Sequence, residues 1–233
     1  MNESEDYPLP QPYTRTQDDD DCIALASPGG HYDKDDWKKD ALDPFKKRLR
    51  DYLWPLQKRR CAYCRCVIHR NESSEEIEHI IPKHAKPQWM YKPMNLCLSC
   101  KMCNTKKSIK TVYNLPHAQV VDFPTTSDGY KIIHPYLDQY SDHIEIVDDI
   151  LYRGITSKGR ETIKLCVLNR YQLAATRAEE AIKSDANHIG RYLQILLILN
   201  DQGKKDLVDD ADALINELNI IDIVAAYRQQ NGM

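Results

Sequence analysis

The sequence lacks an apolar run of the roughly 18 residues that a membrane-spanning helix needs. It also lacks the start of a secretory signal, because its first residues are acidic rather than basic and then apolar. We therefore expect a cytoplasmic protein that does not enter a membrane. With 8 glycines and 12 prolines among 233 residues, the chain does not have the composition of a fibrous protein, and its hydrophobic fraction of 42% argues against full disorder.

The net charge is also small, at -3, but this value conceals three segments of different charge. Residues 38–110 contain eighteen basic and seven acidic residues, whereas residues 1–37 contain two basic and ten acidic residues. Residues 111–233 are acidic again, with twelve basic and eighteen acidic residues. Because each neutralised phosphate releases counterions, a basic segment inside an acidic protein is typical of a nucleic-acid docking site.

The eight cysteines favour metal ligands or buried thiols over disulfides, since the chain shows no secretory signal. Four of them form two Cys-x2-Cys pairs separated by 35 residues, Cys61-Cys64 and Cys100-Cys103. This spacing predicts one tetrahedral structural zinc ion with two ligands from each pair. Cys66 and Cys97 fall outside the two pairs, and we expect them to pack in the core.

Prolines, charge runs and helical periodicity divide the chain into three units. We expect an acidic N-terminal arm over residues 1–40, a core over 41–115 and a mostly helical lobe over 116–233. In the arm, which is expected to be irregular over residues 1–36, the run Asp18–Asp21 can be a shield for the basic segment, but a solvated acidic linker is the favoured interpretation.

The core is expected to open with an amphipathic helix that has Asp43 as its N-cap and that Pro55 ends or kinks near Leu53–Trp54. Its basic residues either line a phosphate path or form only the solvated face, and both interpretations stay open for Lys46, Lys47, Arg48 and Arg50. In the lobe we expect short strands over Tyr130–Tyr136 and His143–Val147. Helical periodicity predicts five helices over about 158–168, 171–184, 188–201, 204–217 and 219–229.

Three short motifs stand at set distances from the cysteine pairs: Glu78-His79, Asn95-Leu96 and Asn104. Over residues 61–107 this combination resembles the HNH endonucleases. The resemblance implies an α+β fold, with a small zinc-stapled ββα-metal core that is treble-clef-like, an N-terminal arm and a helical C-terminal lobe.

The resemblance further implies that His79 is the general base, that Glu78 and Asn104 hold a catalytic Mg²⁺ or Mn²⁺, and that Asn95 braces the site. An imidazole that titrates near neutrality suits proton abstraction from water, and oxygen donors suit these cations. Glu78 and Asn104 replace the Asp and His that are commoner in this family. An Asn directly after the last cysteine is similar to the arrangement in a phage recombination endonuclease. Because neighbours on a strand face opposite ways, the strand must bend or end at Glu78-His79.

Two lysines that follow Asn104, Lys106 and Lys107, are expected to contact flanking phosphates rather than only form a solvated helix face. Residues 159–163 and 168–173, with Arg177, resemble the extension of HNH proteins found with retrons and Septu-type antiphage systems. That resemblance implies an ATPase partner that docks on the helical lobe. Alternatively, Arg160, Arg170 and Arg177 make intramolecular salt bridges or helix caps, and the sequence leaves both interpretations open.

The preferred hypothesis is therefore a metal-dependent endonuclease of an antiphage defence system, with DNA favoured as substrate and RNA, including tRNA, as an alternative. The competing hypothesis is a non-catalytic zinc module that binds nucleic acid or a protein. Such a module needs the cysteines and the basic segment, but it has no use for Glu78, His79 and Asn104 together. Substrate class stays open because phosphate contacts carry no base information.

Overall fold

A computed structural model describes Leu9 and residues 11–69, 75–114 and 121–184. These parts of the chain contain five α-helices, namely α1 (Gln17–Ala26), α2 (Asp43–Leu56), α3 (Lys101–Lys107), α4 (Ser157–Cys166) and α5 (Tyr171–Ser184). Their four strands are β1 (Glu75–His79), β2 (Leu96–Cys100), β3 (Ile144–Val147) and β4 (Leu151–Gly154). None of the helices described is long and apolar enough to span a membrane. The three predicted helices beyond residue 184 lie outside the described residues.

The N-terminal segment is helical where an irregular arm was predicted. The N-cap of helix α1 is Thr16, whose hydroxyl accepts a hydrogen bond from the Asp19 backbone while the Asp19 carboxylate accepts one from the Thr16 backbone. Asp19 is fully buried and accepts a hydrogen bond of 2.7 Å from Nε of Arg48 on α2. The prediction of a solvated linker is therefore wrong for this residue, because the acidic run forms the first turn of a helix, where carboxylates stabilise the positive end of the helix dipole.

The buried Asp19 carboxylate is expected to stabilise the fold measurably. Burial alone would raise its pKa, but hydrogen bonds from Thr16, Tyr13 and Arg48 bring the pKa below its ordinary value. Replacing Asp19 by alanine should lower the free energy of unfolding at pH 7 by about 1.5–3 kcal/mol, because Arg48 loses a charged hydrogen-bond partner. Urea unfolding checks this value, with the exposed Asp18→Ala as the matched control, for which the loss should stay below about 1 kcal/mol. Equal losses in both variants would contradict this account.

Helix α2 has the amphipathic character that the sequence predicted, with different ends. Leu42 occupies the N-cap position and Asp43 is the first helical residue, so the predicted N-cap is one residue too late. Pro55 lies inside the last turn and the helix ends at Leu56, beyond the predicted end. The buried face of the helix consists of Phe45, Leu49 and Leu53.

Strands β1 and β2 and helix α3 form a ββα unit. The strands pair antiparallel, with Glu75 opposite Cys100 and His79 opposite Leu96. Helix α3 follows β2 directly, and its N-cap is Cys100. The predicted α+β fold, with a small ββα core around four cysteines, is confirmed.

The C-terminal region begins with a β3–β4 hairpin and continues into α4 and α5, so β3 and the first two predicted helices are confirmed. Helix α4 ends earlier than predicted because Val167 adopts a left-handed backbone, with φ of 50°. The predicted strand over Tyr130–Tyr136 is wrong. This segment turns because the backbone amide of His134 donates a hydrogen bond to the Asp138 carboxylate, at 2.6 Å, and Asp138 in turn donates from its backbone to the His134 carbonyl.

One apolar cluster joins the described parts of the chain. Its buried members come from α1, α2, the ββα unit and the C-terminal helices, and they include Ile23, Leu49, Leu98, Cys166 and Leu173. The N-terminal segment and the lobe therefore pack on the ββα unit. The boundaries of the three predicted units stay a prediction.

Candidate zinc centre and active site

The four paired cysteines form a compact sulfur cluster. The Sγ atoms of Cys61, Cys64, Cys100 and Cys103 all lie within 4.8 Å of one another. A tetrahedral zinc ion with Zn–S bonds of about 2.3 Å separates its sulfur ligands by about 3.8 Å. The Cys64 and Cys100 sulfurs are 3.9 Å apart, so this donor set fits a structural zinc ion.

Backbone hydrogen bonds shape both cysteine turns. In the first turn, the Cys61 amide donates to the Cys66 carbonyl and the Arg65 amide donates to the Cys61 carbonyl, each at 3.0 Å. In the second turn, the Cys103 amide donates to Cys100 Sγ at 3.4 Å. Hydrogen bonds from neighbouring cysteine thiols, with that of Cys103 the strongest, hold the pKa of the Cys100 thiol far below its ordinary value.

Two buried arginines of the lobe contact the sulfur cluster and its surroundings. Arg170 Nη2 lies 3.7 Å from Cys103 Sγ, and Arg177 Nη1 lies 3.9 Å from Cys66 Sγ. Four thiolates around one divalent ion carry excess negative charge, which these guanidinium groups offset. Arg160 donates to the Gly154 carbonyl. Arg170 also donates to the Cys166 and Val167 carbonyls at the end of α4, which is a helix cap as one of the two interpretations predicted. The contacts of Arg160 with Gly154 and of Arg177 with Cys66 are intramolecular, but they are neither salt bridges nor helix caps.

The strand that carries the candidate base ends where the sequence requires. Strand β1 stops at His79, and the chain bends at Ile80. The buried side chain of Asn95 clamps this bend, since its Oδ1 accepts from the Ile81 amide at 2.7 Å and its Nδ2 donates to the Ile81 carbonyl at 3.1 Å. Nδ2 also donates to the Trp89 carbonyl, so Asn95 ties together both sides of the β1–β2 connection.

His79 is buried at the end of β1, and its Nε2 has no hydrogen-bond partner among the described residues. A hydrogen bond with the Met90 backbone therefore involves Nδ1, which places the ring proton there and leaves a lone pair on Nε2. Burial, followed by the charges of Lys83 and Lys107, lowers the pKa of His79 to about 3. The ring is thus neutral near pH 7, which is the form that can accept a proton.

Glu78 lies beside a buried lysine. Lys107 Nζ is 2.5 Å from Glu78 Oε1 and donates to the His79 carbonyl at 3.0 Å. Burial raises the pKa of Glu78, while Lys107 acts in the opposite direction. Lys107 is fully buried, so the prediction that it contacts a phosphate is wrong. Lys106 is exposed, and its phosphate contact stays a prediction.

Asn104 on α3 reaches across to strand β1. Its Nδ2 donates to Glu76 Oε2 at 2.5 Å. Glu76 is two residues before Glu78, and side chains at this spacing lie on the same face of a strand.

A cleft of about 480 Å³ joins these groups, and its walls include Trp37, Glu76, Glu78, His79, Lys83 and Asn104. The structure therefore brings the predicted His79, Glu78 and Asn104 to one opening, while Asn95 lies behind it as a backbone clamp. Carboxylate and amide oxygens are donors that suit Mg²⁺ or Mn²⁺, so the residues present fit a catalytic divalent ion.

The sequence-based site omitted three of these wall residues. Trp37 comes from the N-terminal segment, and its ring meets the His79 ring edge-on with 4.4 Å between centroids. Lys83 follows the bend after β1, and Glu76 precedes the motif on the same strand. Glu76 could have been found from the sequence, because residues two apart on a strand lie on the same face and Glu76 is two residues before Glu78. Nothing in the sequence indicated that Trp37 contacts His79.

The basic residues of α2 are mostly paired within the protein. Lys46 binds Asp43, Lys47 binds Asp51 and Arg48 binds Asp19. Arg50 lines the cleft, with its Nε 3.8 Å from Glu75. Of these four basic residues, Arg50 lines the cleft, so Arg50 is the one that can belong to a phosphate path there.

Comparison with known families agrees with this geometry. Residues 61–110 match the family model for HNH endonucleases. This segment is an HNH endonuclease domain. The match contains both cysteine turns, the β1–β2 pair and α3, and it confirms the resemblance on which the predicted nuclease activity rested.

A curated relative shares sequence over a longer stretch than the HNH domain. The Septu protein PtuB of Bacillus thuringiensis is 31% identical over 120 residues, which is 51% of this chain. The alignment covers 40% of that protein, so the chain spans less than half the length of the relative it matches.

Proposed function

We propose that the protein is a metal-dependent endonuclease that hydrolyses phosphodiester bonds of DNA in an antiphage defence system. The observation that carries the proposal is the cleft whose walls contain Glu78, Asn104 and His79, a histidine whose buried Nε2 has no hydrogen-bond partner among the described residues. A zinc-binding module without catalysis would not require these three groups at one opening. The HNH domain match and the similarity to a Septu protein support the same conclusion.

His79 acts as the general base in this proposal. Its Nε2 accepts a proton from the water that attacks the phosphorus, while the Met90 backbone holds the ring proton on Nδ1. The hydrogen bond between His79 and the Met90 backbone favours the protonated ring that forms during the reaction, and it thereby opposes the effect of burial on the pKa of His79. Trp37 and the Asn95 clamp limit movement of the ring and of the backbone that carries it.

Glu78 and Asn104 hold the catalytic Mg²⁺ or Mn²⁺ through oxygen donors. When bound, such a cation polarises the scissile phosphate and stabilises charge on the leaving oxygen. Lys107 opposes the rise in the pKa of Glu78 that burial causes, because its ammonium group lies next to the carboxylate. Arg50, Lys83 and Lys106 supply positive charge for the flanking phosphates.

The proposal includes a partner. The resemblance of residues 159–163 and 168–173, with Arg177, to HNH proteins of retron and Septu-type systems supports an ATPase that contacts the helical lobe and controls the nuclease. Because Arg170 and Arg177 are buried, exposed side chains of the lobe would make the contact. Tyr171, which follows Arg170, and Ile155, whose carbonyl accepts a hydrogen bond from Arg160, are both exposed. Co-purification with the candidate ATPase, compared between the wild type and a double Ile155→Asp, Tyr171→Asp variant, tests this part.

A cleavage assay of the zinc-loaded protein on several substrates tests the function. We expect supercoiled plasmid to be nicked when Mg²⁺ or Mn²⁺ is added, and not when it is left out. Omission of the cation is the proper control, because a chelator would also remove zinc. Single-stranded DNA, tRNA and other RNA are tested in parallel, with and without the candidate ATPase. Cleavage of RNA alone would contradict the DNA assignment, and no cleavage under any condition would contradict the proposed enzyme.

A further inference from the structure

Glu76 and Asn104 form a pair that connects strand β1 with helix α3 at the cleft. The Asn104 Nδ2 atom donates to Glu76 Oε2 over 2.5 Å, and both residues are half-buried. Glu76 lies outside the Glu78-His79 motif. The pair therefore adds an acidic group to the candidate metal site that the motif does not contain.

The chemistry of this pair determines which way the Asn104 amide points. An ionised carboxylate only accepts hydrogen bonds, so it selects the Nδ2 side of the amide. The amide oxygen is then directed away from Glu76. Magnesium and manganese take oxygen ligands, and an amide turned by 180° would present N–H groups to the cation instead.

We propose that Glu76 is a positioning residue that fixes the Asn104 amide with Oδ1 available to the catalytic cation. This inference rests on the proposed function, since it assigns Asn104 as a ligand. Outer hydrogen-bond partners of metal ligands typically change metal affinity or activity by about 10–100-fold when they are removed. Glu76 acts through Asn104, and does not itself need to touch the cation or the substrate.

Two variants at Glu76 separate positioning from direct ligation. Glu76→Ala removes the acceptor, whereas Glu76→Gln keeps an oxygen that can accept from Asn104 Nδ2. The matched control is Glu145→Ala, because Glu145 is also a half-buried strand glutamate but lies on β3 and pairs with Arg153. Circular dichroism and zinc content show whether each full-length variant is folded.

Binding of Mn²⁺ to the zinc-loaded protein, without nucleic acid, is measured by electron paramagnetic resonance of the free ion. We expect Glu76→Ala to weaken binding by about 10–100-fold and Glu76→Gln to stay close to the wild type. In cleavage, Glu76→Ala should need more Mn²⁺ for half-maximal rate yet regain its rate at saturation. Equal losses of Mn²⁺ binding in Glu76→Ala and Glu76→Gln would mean that Glu76 is a direct ligand, which would overturn the positioning role. Unchanged Mn²⁺ binding in Glu76→Ala would also overturn it.

A metal-free measurement separates this inference from the proposed function. In ¹H–¹⁵N spectra, the Asn104 side-chain amide resonance, assigned by its loss in Asn104→Ala, should shift in Glu76→Ala and persist in Glu76→Gln. An unshifted resonance would overturn the inference whatever the enzyme does. A wild type that binds no Mn²⁺ and cuts no nucleic acid would instead contradict the proposed function.

Discussion

Replacement of His79 by alanine is expected to lower the cleavage rate by about 10²–10⁴-fold, the range typical of a lost general base. The variant should keep its zinc and its fold, because the sulfur cluster and the Asn95 clamp do not depend on the imidazole. The loss should persist at saturating Mn²⁺, since His79 accepts a proton rather than binding the cation. Single-turnover cleavage of plasmid at saturating enzyme measures the chemical step.

The exposed His31, which lies outside the cleft walls, provides the matched control. His31→Ala should cleave at the wild-type rate, so any loss in His79→Ala cannot come from removing a histidine in general. Zinc content and the thermal midpoint must match between the two variants. Undiminished cleavage by a folded His79→Ala variant would refute the assigned base.

Loss of a zinc ligand is expected to unfold the nuclease core. A structural zinc contributes on the order of 10 kcal/mol in small metal domains, which is comparable with the whole stability of a typical domain, about 5–15 kcal/mol. Cys103→Ala should therefore lose the bound ion, the cooperative thermal transition and all cleavage. Elemental zinc measurement and circular dichroism check these three effects together with the cleavage assay.

Cys22→Ala is the control for the ligand variant, because Cys22 is a half-buried cysteine of α1 outside the sulfur cluster. This variant should retain one zinc ion per chain and its activity. If Cys103→Ala kept one zinc ion and a native melting transition, the four-sulfur site would not be the structural centre of the fold.

The sequence predicted the four-cysteine core well because its determinants are local. Two Cys-x2-Cys turns and a strand that must end at Glu78-His79 are properties of short segments, and the structure shows both. The Asn95 clamp was expected from family resemblance, and the hydrogen bonds to the Ile81 backbone have that form. Helices α4 and α5 followed from helical periodicity alone.

Features that depend on tertiary contacts were predicted less well. Lys107 was placed on a phosphate path, although it stands four residues after Cys103 and so shares the buried face of α3 with a zinc-site cysteine. Asp19 was placed in solvent, and its partner Arg48 is 29 residues away. The amino-acid composition of a segment does not predict that Lys107 is buried beside Cys103 or that Asp19 pairs with Arg48. The same holds for Trp37, whose contact with His79 depends on how the N-terminal segment packs on the core.

Ion pairs within the protein determine how much of the positive charge of residues 38–110 a polyanion can reach. Several bases of the basic segment neutralise acids within the protein, including Arg48 with Asp19 and Lys107 with Glu78. The charge available to a polyanion is therefore smaller than the count suggests. Lys83 and Arg50 line the cleft, although Arg50 also lies 3.8 Å from the Glu75 carboxylate, and Lys106 on α3 is exposed.

An anomalous-scattering map of crystals of the full chain grown with Mn²⁺ tests most directly whether the sulfur cluster and the bend at His79 assemble a cation site. The account predicts one zinc peak inside the four-cysteine cluster and one manganese peak bound by Glu78 and the Oδ1 atom of Asn104. His79 Nε2 should face the manganese-bound region from outside its coordination shell. A manganese peak held by other side chains in an active protein, or a Glu78 that stays bound to Lys107 with no ion beside it, would contradict the account.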